Sequence, residues 1–445
     1  MGDGLYQRNL ETRPWPEVQR AAFEKARLQL ERVYSVSPFY KRKYDEAGVD
    51  PTLVADPSDF AKLPFFTKDD ERRTQEEDPP YGGHLCVEPD EVVRVHASSG
   101  TTGRPTFFAL TTRDVDTWRT IMARTFFTTG IRRSDVAACL ANLSMFVGGI
   151  PVIDAYSLIG AAAIPIGATA GTERTIELMR ELGVTVMAIT PSFAVYLGEL
   201  VEQHLGIPAS TLGLRLMLVG GEPGGQIPAV RQQIQAVWGC PVRDAMGMGE
   251  IAGACWGESS DEAGMHFCAQ DEVYLELIDP DTGALIPFED GAEGELIYTA
   301  VEREAHPLIR FRSHDHVRVQ MSPTRSGRTA PRITTLGRTD DMLLLRGINV
   351  FPSAVRDVVA SFAPETTGHI QIVLSKPGPL VQPPLRVDVE VAGALAAERR
   401  AELCRRVGDA LKQRLSFTAD VRPLDEGSLP RTALKTQYVR ICPGP

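Results

Sequence analysis

Arg94-Val-His-Ala-Ser-Ser-Gly-Thr-Thr-Gly-Arg-Pro-Thr106 is the stretch whose reading decides the fold. Ser98, Ser99, Thr101 and Thr102 offer hydroxyl donors, and Gly100 and Gly103 let backbone N–H groups turn toward an anion where a side chain would collide. Val92, Val93 and Val95 predict a strand just ahead of the run, which puts the loop at a strand end, where anion-binding turns are commonly presented. The spacing is not that of the P-loop, which needs four residues between its glycines and a Gly-Lys-[Ser/Thr] ending. Here the glycines are three apart and Arg-Pro-Thr follows. Taken alone, such a run also reads as a polar turn; its weight comes from the segments that accompany it.

Those segments are Gly220-Gly-Glu-Pro223, Met246-Gly-Met-Gly-Glu250, Pro307-Leu-Ile-Arg-Phe-Arg-Ser-His-Asp315, Gly337-Arg-Thr-Asp-Asp-Met342, Arg346-Gly-Ile-Asn-Val-Phe-Pro352 and Leu429-Pro-Arg-Thr-Ala-Leu-Lys435. In that order, with the hydroxyl-rich loop first, the chain resembles the adenylate-forming superfamily of acyl-CoA synthetases, luciferases and adenylation domains. Val95-His-Ala97 before the loop and Thr111-Thr-Arg-Asp-Val-Asp-Thr-Trp118 after it bring the resemblance nearer to the phenylacetate–CoA ligase branch. Ser37-Pro-Phe-Tyr-Lys-Arg-Lys-Tyr44 and Leu63-Pro-Phe-Phe-Thr-Lys68 look like that branch as well.

With 445 residues the chain exceeds what one hydrophobic core normally holds, so two domains are expected. Its 43% hydrophobic and 24% charged content is that of a globular protein, and a net charge of −11 argues against a nucleic-acid partner. No run approaches the roughly 18 apolar residues of a membrane span. The opening Met1-Gly-Asp-Gly-Leu-Tyr-Gln7 lacks a basic region followed by an apolar stretch, which sets the expectation of a cytoplasmic protein without a membrane partner.

Trp15 to Val33 reads as an amphipathic helix, with Val18, Ala22, Leu28, Leu30 and Val33 on its apolar side. Between about residues 130 and 250, strand-like runs at Val136–Leu140, Ala161–Pro165, Val184–Ile189 and Leu214–Val219 alternate with helical ones, which predicts βαβ units and parallel strands. After Glu272 the pattern changes to alternating strands at Val273–Ile278 and Gly294–Tyr298 around an Asp279–Gly283 turn, as antiparallel pairing requires. The fold class expected is therefore α/β: a large N-terminal adenylate-forming domain, residues 1–337, with βαβ units, and a small mobile α+β C-terminal domain, residues 338–445, joined by a hinge near Asp340.

The resemblance implies roles for particular residues. Ser98 to Gly103 would grip the triphosphate of ATP. Glu250 would hold Mg²⁺, a hard cation that prefers oxygen ligands. Asp315 would accept hydrogen bonds from the ribose hydroxyls, and Arg338 would contact ribose or phosphate through its planar fork. Gly221, Glu222 and Pro223, with Ala245, Met246 and Gly247, would border the adenine. Lys435 would bridge the incoming carboxylate and the phosphate, placing a compact positive charge where negative charge accumulates in the adenylation transition state. Asn142, Met145, Phe146, Gly149, Gly221, Met248 and Gly253 would line the acyl pocket. After rotation about Asp340, Arg346-Gly-Ile-Asn349 would face the active site, with Gly347 clearing a path for coenzyme A. The sequence departs from the family pattern at Met246, where an aromatic residue is usual, at Gly249, where Ser or Thr is usual, and at Leu434, where Gly is usual.

The implied reaction is ATP-dependent activation of an aryl or arylacetyl carboxylic acid to its adenylate, then transfer to coenzyme A. A second reading keeps the adenylation and delivers the acyl group to a carrier-protein thiol or an amine. A non-catalytic nucleotide-binding protein is the third, against which the presence of Glu250, Asp315 and Lys435 counts. A homodimer is left open. Cys255, His266 and Cys268 fall close enough in sequence to be candidate ligands of a structural zinc, although a fourth ligand is not evident.

Overall fold

The computed structural model describes residues 4–98, 105–167, 170–345, 348–376, 378, 380–393, 395–430 and 438–442, with the side chains of 348 and 349 outside that description. Its frame is an 11-stranded sheet. One half is parallel: Ala162–Pro165, Val136–Cys139, Val186–Ile189, Leu216–Gly220 and Val242–Met248 lie side by side in that spatial order. Each is joined to the next in sequence by a helix, as right-handed βαβ crossovers demand. The other half is antiparallel and runs outward from Val242–Met248 through Ala252–Glu258, Met265–Phe267, Arg332–Arg338, Phe311–Gln320, Glu293–Ala300 and Val273–Ile278. The expected alternation and its change of character are both present. The change comes at the Gly249–Glu250 turn, ahead of the Glu272 position the pattern suggested.

The helix Trp15–Val36 lies against the edge strand Val273–Ile278 and buries Trp15, Val18, Ala22, Phe23, Ala26, Leu30 and Val33. Leu28, expected on that apolar side, is instead 59% exposed, and Phe23 and Ala26 complete the stripe. Residue 28 falls five after Phe23 and so lands outside the i, i+3, i+4 face.

A second, 4-stranded sheet is built from Ala419–Leu424, Leu385–Val391, Thr366–Leu374 and Val439–Ile441, in that spatial order. The helices Pro352–Ala360 and Ala397–Leu415 pack on it around Val355, Val359, Ile372, Val387, Val407 and Leu411. This is the α+β unit expected at the C-terminus. It leans on the large unit through Pro352–Ala360, which packs against the helix Pro228–Trp238 and lends Ala360 to the core beneath the parallel strands. Among the described residues no helix is long and apolar enough to cross a membrane.

Candidate active site

The strand Arg94–Ala97 pairs antiparallel with Phe107–Leu110, so the hydroxyl-rich loop is the connection of a two-stranded ribbon. Ser98 is described: its backbone N–H donates to Thr106 O at 2.9 Å, and its hydroxyl accepts the Thr106 N–H at 3.0 Å, which closes the loop's neck. Ser99, Gly100, Thr101, Thr102 and Gly103 lie outside the described residues, as do Arg346, Gly347, Leu434 and Lys435.

Below the neck stands a group that sequence reasoning did not single out. Thr67 caps the helix Lys68–Glu77 in a reciprocal capping box with Asp70, and Lys68 and Glu71, three apart, leave its first turn on one side. Lys68 Nζ donates to Glu250 Oε1 at 2.5 Å, Glu71 Oε2 at 2.6 Å and Thr106 Oγ1 at 2.6 Å, and lies 4.9 Å from the Phe108 ring centroid. Burial, aided by the Glu250 charge and opposed by Lys68, pushes the Glu71 carboxyl up to about 7. The same Lys68 helps burial to hold the His84 imidazole down at about 3, so His84 stays neutral. The branch-like Leu63-Pro-Phe-Phe-Thr-Lys68 was the available signal, and it named no role.

Arg310 fixes this helix relative to the sheet. Its guanidinium donates to both Glu276 oxygens at 3.1 Å and to the Leu63 carbonyl at 2.6 Å, and Phe66 N–H donates to Arg310 O. The residue is buried at a positive φ of 51°, a conformation that persists only where surrounding contacts over-determine it.

Ligands of open parallel sheets bind beyond the carboxyl ends of the strands, at the point where the strand order reverses. Here that point falls between Val136–Cys139 and Val186–Ile189. The loop leaving Val136–Cys139 carries Asn142, Met145, Phe146 and Gly149, and it folds back on the phosphate ribbon: Phe146 bridges Ala97, and Ala97 N–H donates to Met145 O at 2.8 Å. A Cβ at Gly149 would meet the Asn142 carbonyl oxygen at 2.4 Å, and one at Gly253 would meet the Val147 carbonyl oxygen at 2.7 Å. These are close backbone approaches that only glycine allows. Met248, half-buried, packs on the same core. At the next strand ends, Gly220 pairs with Ala245 and Gly221 takes a positive φ of 82° beside Thr190. The Thr190 and Ser192 hydroxyls there are buried without a hydrogen-bond partner among the described residues. Glu222 Oε1 accepts the Ser192 N–H at 2.7 Å and so serves the N-terminus of the helix Pro191–Leu205.

The Gly249 departure has a steric reason. A Cβ there would stand 2.3 Å from Cε2 of Phe108, so the phenyl ring fills the space a serine or threonine would need. Met246 packs half-buried on the main core, and Gly247 approaches Ala252 and Ala254 backbone too closely for a side chain.

At the end of the strand Arg332–Arg338, Arg338 Nη1 donates to Asp315 Oδ1 at 3.3 Å, while its Nε and Nη2 grip Asp340 at 2.9 and 2.7 Å. Thr339 N–H donates to His314 O at 2.8 Å. The ribose and hinge candidates are thus joined through one guanidinium.

The zinc expectation is corrected. Cys268 N–H donates to Cys255 O, which sets the two residues opposite each other, but His266 Nε2 lies 3.3 Å from Ser259 Oγ and the Cys268 thiol turns to Thr128 and the His266 carbonyl. No cluster of His, Cys, Asp and Glu able to hold a metal occurs among the described residues.

The AMP-binding enzyme family matches residues 35–300, and the AMP-binding enzyme C-terminal domain matches residues 347–440. The phenylacetate-coenzyme A ligase of Escherichia coli is 32% identical over 429 residues, covering 95% of this chain and 94% of that protein. The enzyme of the same name from Thermus thermophilus is 32% identical over 443 residues, covering 96% and 97%. A crystal structure of 2-hydroxyisobutyryl-CoA ligase in the postadenylation state, with 2-HIB-AMP, superposes with a TM-score of 0.88 at 29% identity, over 99% of this chain and 92% of that one. The same ligase in its thioesterification state gives 0.72 over 98% and 92%. The superposition is thus better with the postadenylation structure than with the thioesterification one. By these matches over nearly its whole length, the chain belongs to the adenylate-forming AMP-binding enzymes, in the branch of the phenylacetate–CoA ligases.

Proposed function

We propose that the chain is an AMP-forming acid:CoA ligase that activates an aryl or arylacetyl carboxylic acid with ATP and transfers it to coenzyme A. The observation that carries the reading is the pairing of the phosphate ribbon with the acyl-side loop 141–149 at the reversal point of one sheet, with the Gly220–Pro223 turn leaving a neighbouring strand end of the same sheet.

In this reading the N-terminal domain spans 1–337, the mobile C-terminal domain 338–445, and Asp340 is the hinge. Ser98 to Gly103 hold the triphosphate, and Lys68 brings a second cation to the same end of the cleft. The carboxylate oxygen of the acid attacks the α-phosphorus, the bond to the bridging oxygen breaks, and pyrophosphate leaves with the electron pair. A carboxylate needs no base to become this nucleophile. Lys435 offsets the charge that builds there. Asp315 and Arg338 orient the ribose. The coenzyme A thiol, giving its proton to solvent, then attacks the acyl carbon; the C–S bond forms, the acyl C–O bond to the phosphate breaks, and AMP leaves with the electron pair.

The paired carboxylates of Glu71 and Glu250, turned on one ammonium, are a hard oxygen donor set that suits Mg²⁺. Glu250 would hold the ion, and a bound Mg²⁺ supplies neutralisation of the leaving pyrophosphate. The pocket identity rests on Asn142, Met145, Phe146, Gly149, Met248 and Gly253.

Acid-dependent exchange of radiolabelled pyrophosphate into ATP tests the first half of this reading. The panel should hold benzoate, phenylacetate and 2-hydroxyisobutyrate, followed by thioester formation with coenzyme A. Exchange with an aromatic acid and thioester formation are expected. Exchange without thioester formation would favour a carrier-protein thiol or an amine as acceptor, and absence of exchange with any acid would sink the reading.

A further inference from the structure

The large and small units meet at a polar junction built on one side chain. Arg356, on the helix Pro352–Ala360, is buried, and its Nη1 donates to the carbonyl oxygen of Pro223 at 2.6 Å and to the hydroxyl of Tyr438 at 2.6 Å. Its guanidinium carbon also lies 5.5 Å from the Tyr438 ring centroid. The three partners have separate origins. Pro223 belongs to the turn that leaves the parallel strand Leu216–Gly220, beside the nucleotide-side Gly221. Arg356 belongs to the small unit. Tyr438 follows Lys435 by three residues in sequence, and its carbonyl accepts the Ile372 N–H at 2.7 Å, which pins it to the central strand of the small sheet.

We infer that Arg356 is a positioning residue for the adenylation half-reaction: it holds Tyr438, three residues beyond Lys435 in sequence, to the Gly220–Pro223 turn in this disposition of the two units, and releases it in the other. The inference rests on the two-state reading given under the proposed function. A hydrogen bond of 2.6 Å tolerates displacements of only a few tenths of an ångström before it weakens. A single nitrogen serving acceptors on both units therefore cannot follow a rigid rotation between them. The Pro223 carbonyl is lost first, because it alone belongs to the large unit. Gly337 marks how closely the units nest here, since a Cβ on it would meet the Phe351 ring at 2.4 Å. Arg356 touches no reacting atom in this scheme. It acts by holding its neighbours, so its loss falls on the half-reaction that needs this disposition.

The test separates the half-reactions. Arg356→Ala, Arg356→Lys and Tyr438→Phe are compared with wild type in two assays on the full chain: acid-dependent pyrophosphate exchange, and thioester formation from chemically prepared acyl-adenylate plus coenzyme A, using whichever acid supports exchange in the wild type. Arg356→Ala should lower exchange about ten- to a hundredfold, the loss that follows from removing hydrogen bonds from a charged donor, with thioester formation from the adenylate within about twofold of wild type. Arg356→Lys, which can still donate to Pro223, should recover part of the exchange. Tyr438→Phe keeps the ring beneath the guanidinium and removes only the hydroxyl, so it should show a smaller loss confined to the same assay. Parallel loss in both assays, or no loss in either, overturns the inference. If Arg356→Ala does not fold, Tyr438→Phe decides by the same criterion. A wild type that makes thioester from the adenylate but never exchanges pyrophosphate would overturn the adenylation reading itself, and this inference with it.

Discussion

Lys68 Nζ lies 2.5 Å from Glu250 Oε1, although 182 residues separate the two in sequence. A cation on an N-terminal helix and a carboxylate at the turn where the sheet changes from parallel to antiparallel are thereby brought into direct contact. Glu71 completes the group, with its side chain almost wholly buried. Burial first, with the Glu250 charge adding to it and Lys68 opposing it, raises the Glu71 carboxyl to about 7, and one ammonium between two carboxylates leaves an excess negative charge whenever both are ionised. A divalent cation arriving with ATP would relieve the same excess.

Lys68→Ala should therefore reduce pyrophosphate exchange by about 10²–10³, with a higher ATP requirement and an unchanged acid requirement. Steady-state exchange at varied ATP and varied acid measures this. Wild-type exchange in the variant would reduce Lys68 to a structural counter-charge.

The Phe108–Gly249 contact gives a paired substitution. Gly249→Ser alone forces its Cβ into the ring 2.3 Å away and should destabilise the protein by about 1–3 kcal/mol, the usual cost of overpacking. Phe108→Ala alone should also destabilise, by opening a cavity. In the double variant the costs should partly cancel, so denaturant midpoints for the four proteins should show non-additivity. Strict additivity would mean that the ring and the glycine do not compete for one space.

Arg310→Ala should cost about 3–5 kcal/mol, because Glu276 would be left as an unpaired buried charge. Arg310→Ala/Glu276→Ala should recover much of that loss, while leaving the Leu63 carbonyl without its donor. Urea denaturation of the single and double variants reads this, and equal midpoints for the two would contradict it.

Asp244 carries a pH prediction. Burial first, then the neighbouring Glu258 carboxylate, raise its pKa from 3.8 to about 8. A carboxyl whose folded pKa is raised binds more protons folded than unfolded between those two values. Its contribution to stability therefore falls as pH rises from about 4 toward about 8. Asp244→Asn keeps the shape, offers Glu258 an amide donor and removes the titration. Its melting temperature should fall less steeply over that range than the wild type's, and parallel profiles would refute the assignment.

The sequence made the framework legible wherever one period dominated a segment. Val136–Cys139, Leu216–Gly220 and Val273–Ile278 announced themselves as strands, and the latter two are buried almost throughout. The composition of the Ser98-to-Thr106 loop suits a polar turn as well as an anion turn, so its reading rested on the segments that follow it in order along the chain. Lys68 and Glu71 were not, because a Lys-Asp-Asp-Glu run on a helix start reads as a solvated, well-capped first turn. Only the docking of Phe66 beside Phe311 turns that face inward. Cys255, His266 and Cys268 misled for the converse reason. Nearness in sequence suggested a ligand set, but the strand pairing sends the imidazole to Ser259 and the Cys268 thiol to Thr128. Arg356 gave no signal at all, since its partners are a backbone carbonyl and a tyrosine far away in sequence.

The threading of the N-terminal segment onto the antiparallel strands has a consequence for how the protein is made. Leu63 and Phe66 are seated by Arg310, 247 residues downstream of Leu63, and such distant pairings form late, because loop closure must be paid for before they reward it. During synthesis the phosphate ribbon and the parallel strands can assemble while Lys68 still waits for its seat. A nascent chain halted before Arg310 should hold a folded parallel half and yet be unable to engage ATP as the finished protein does.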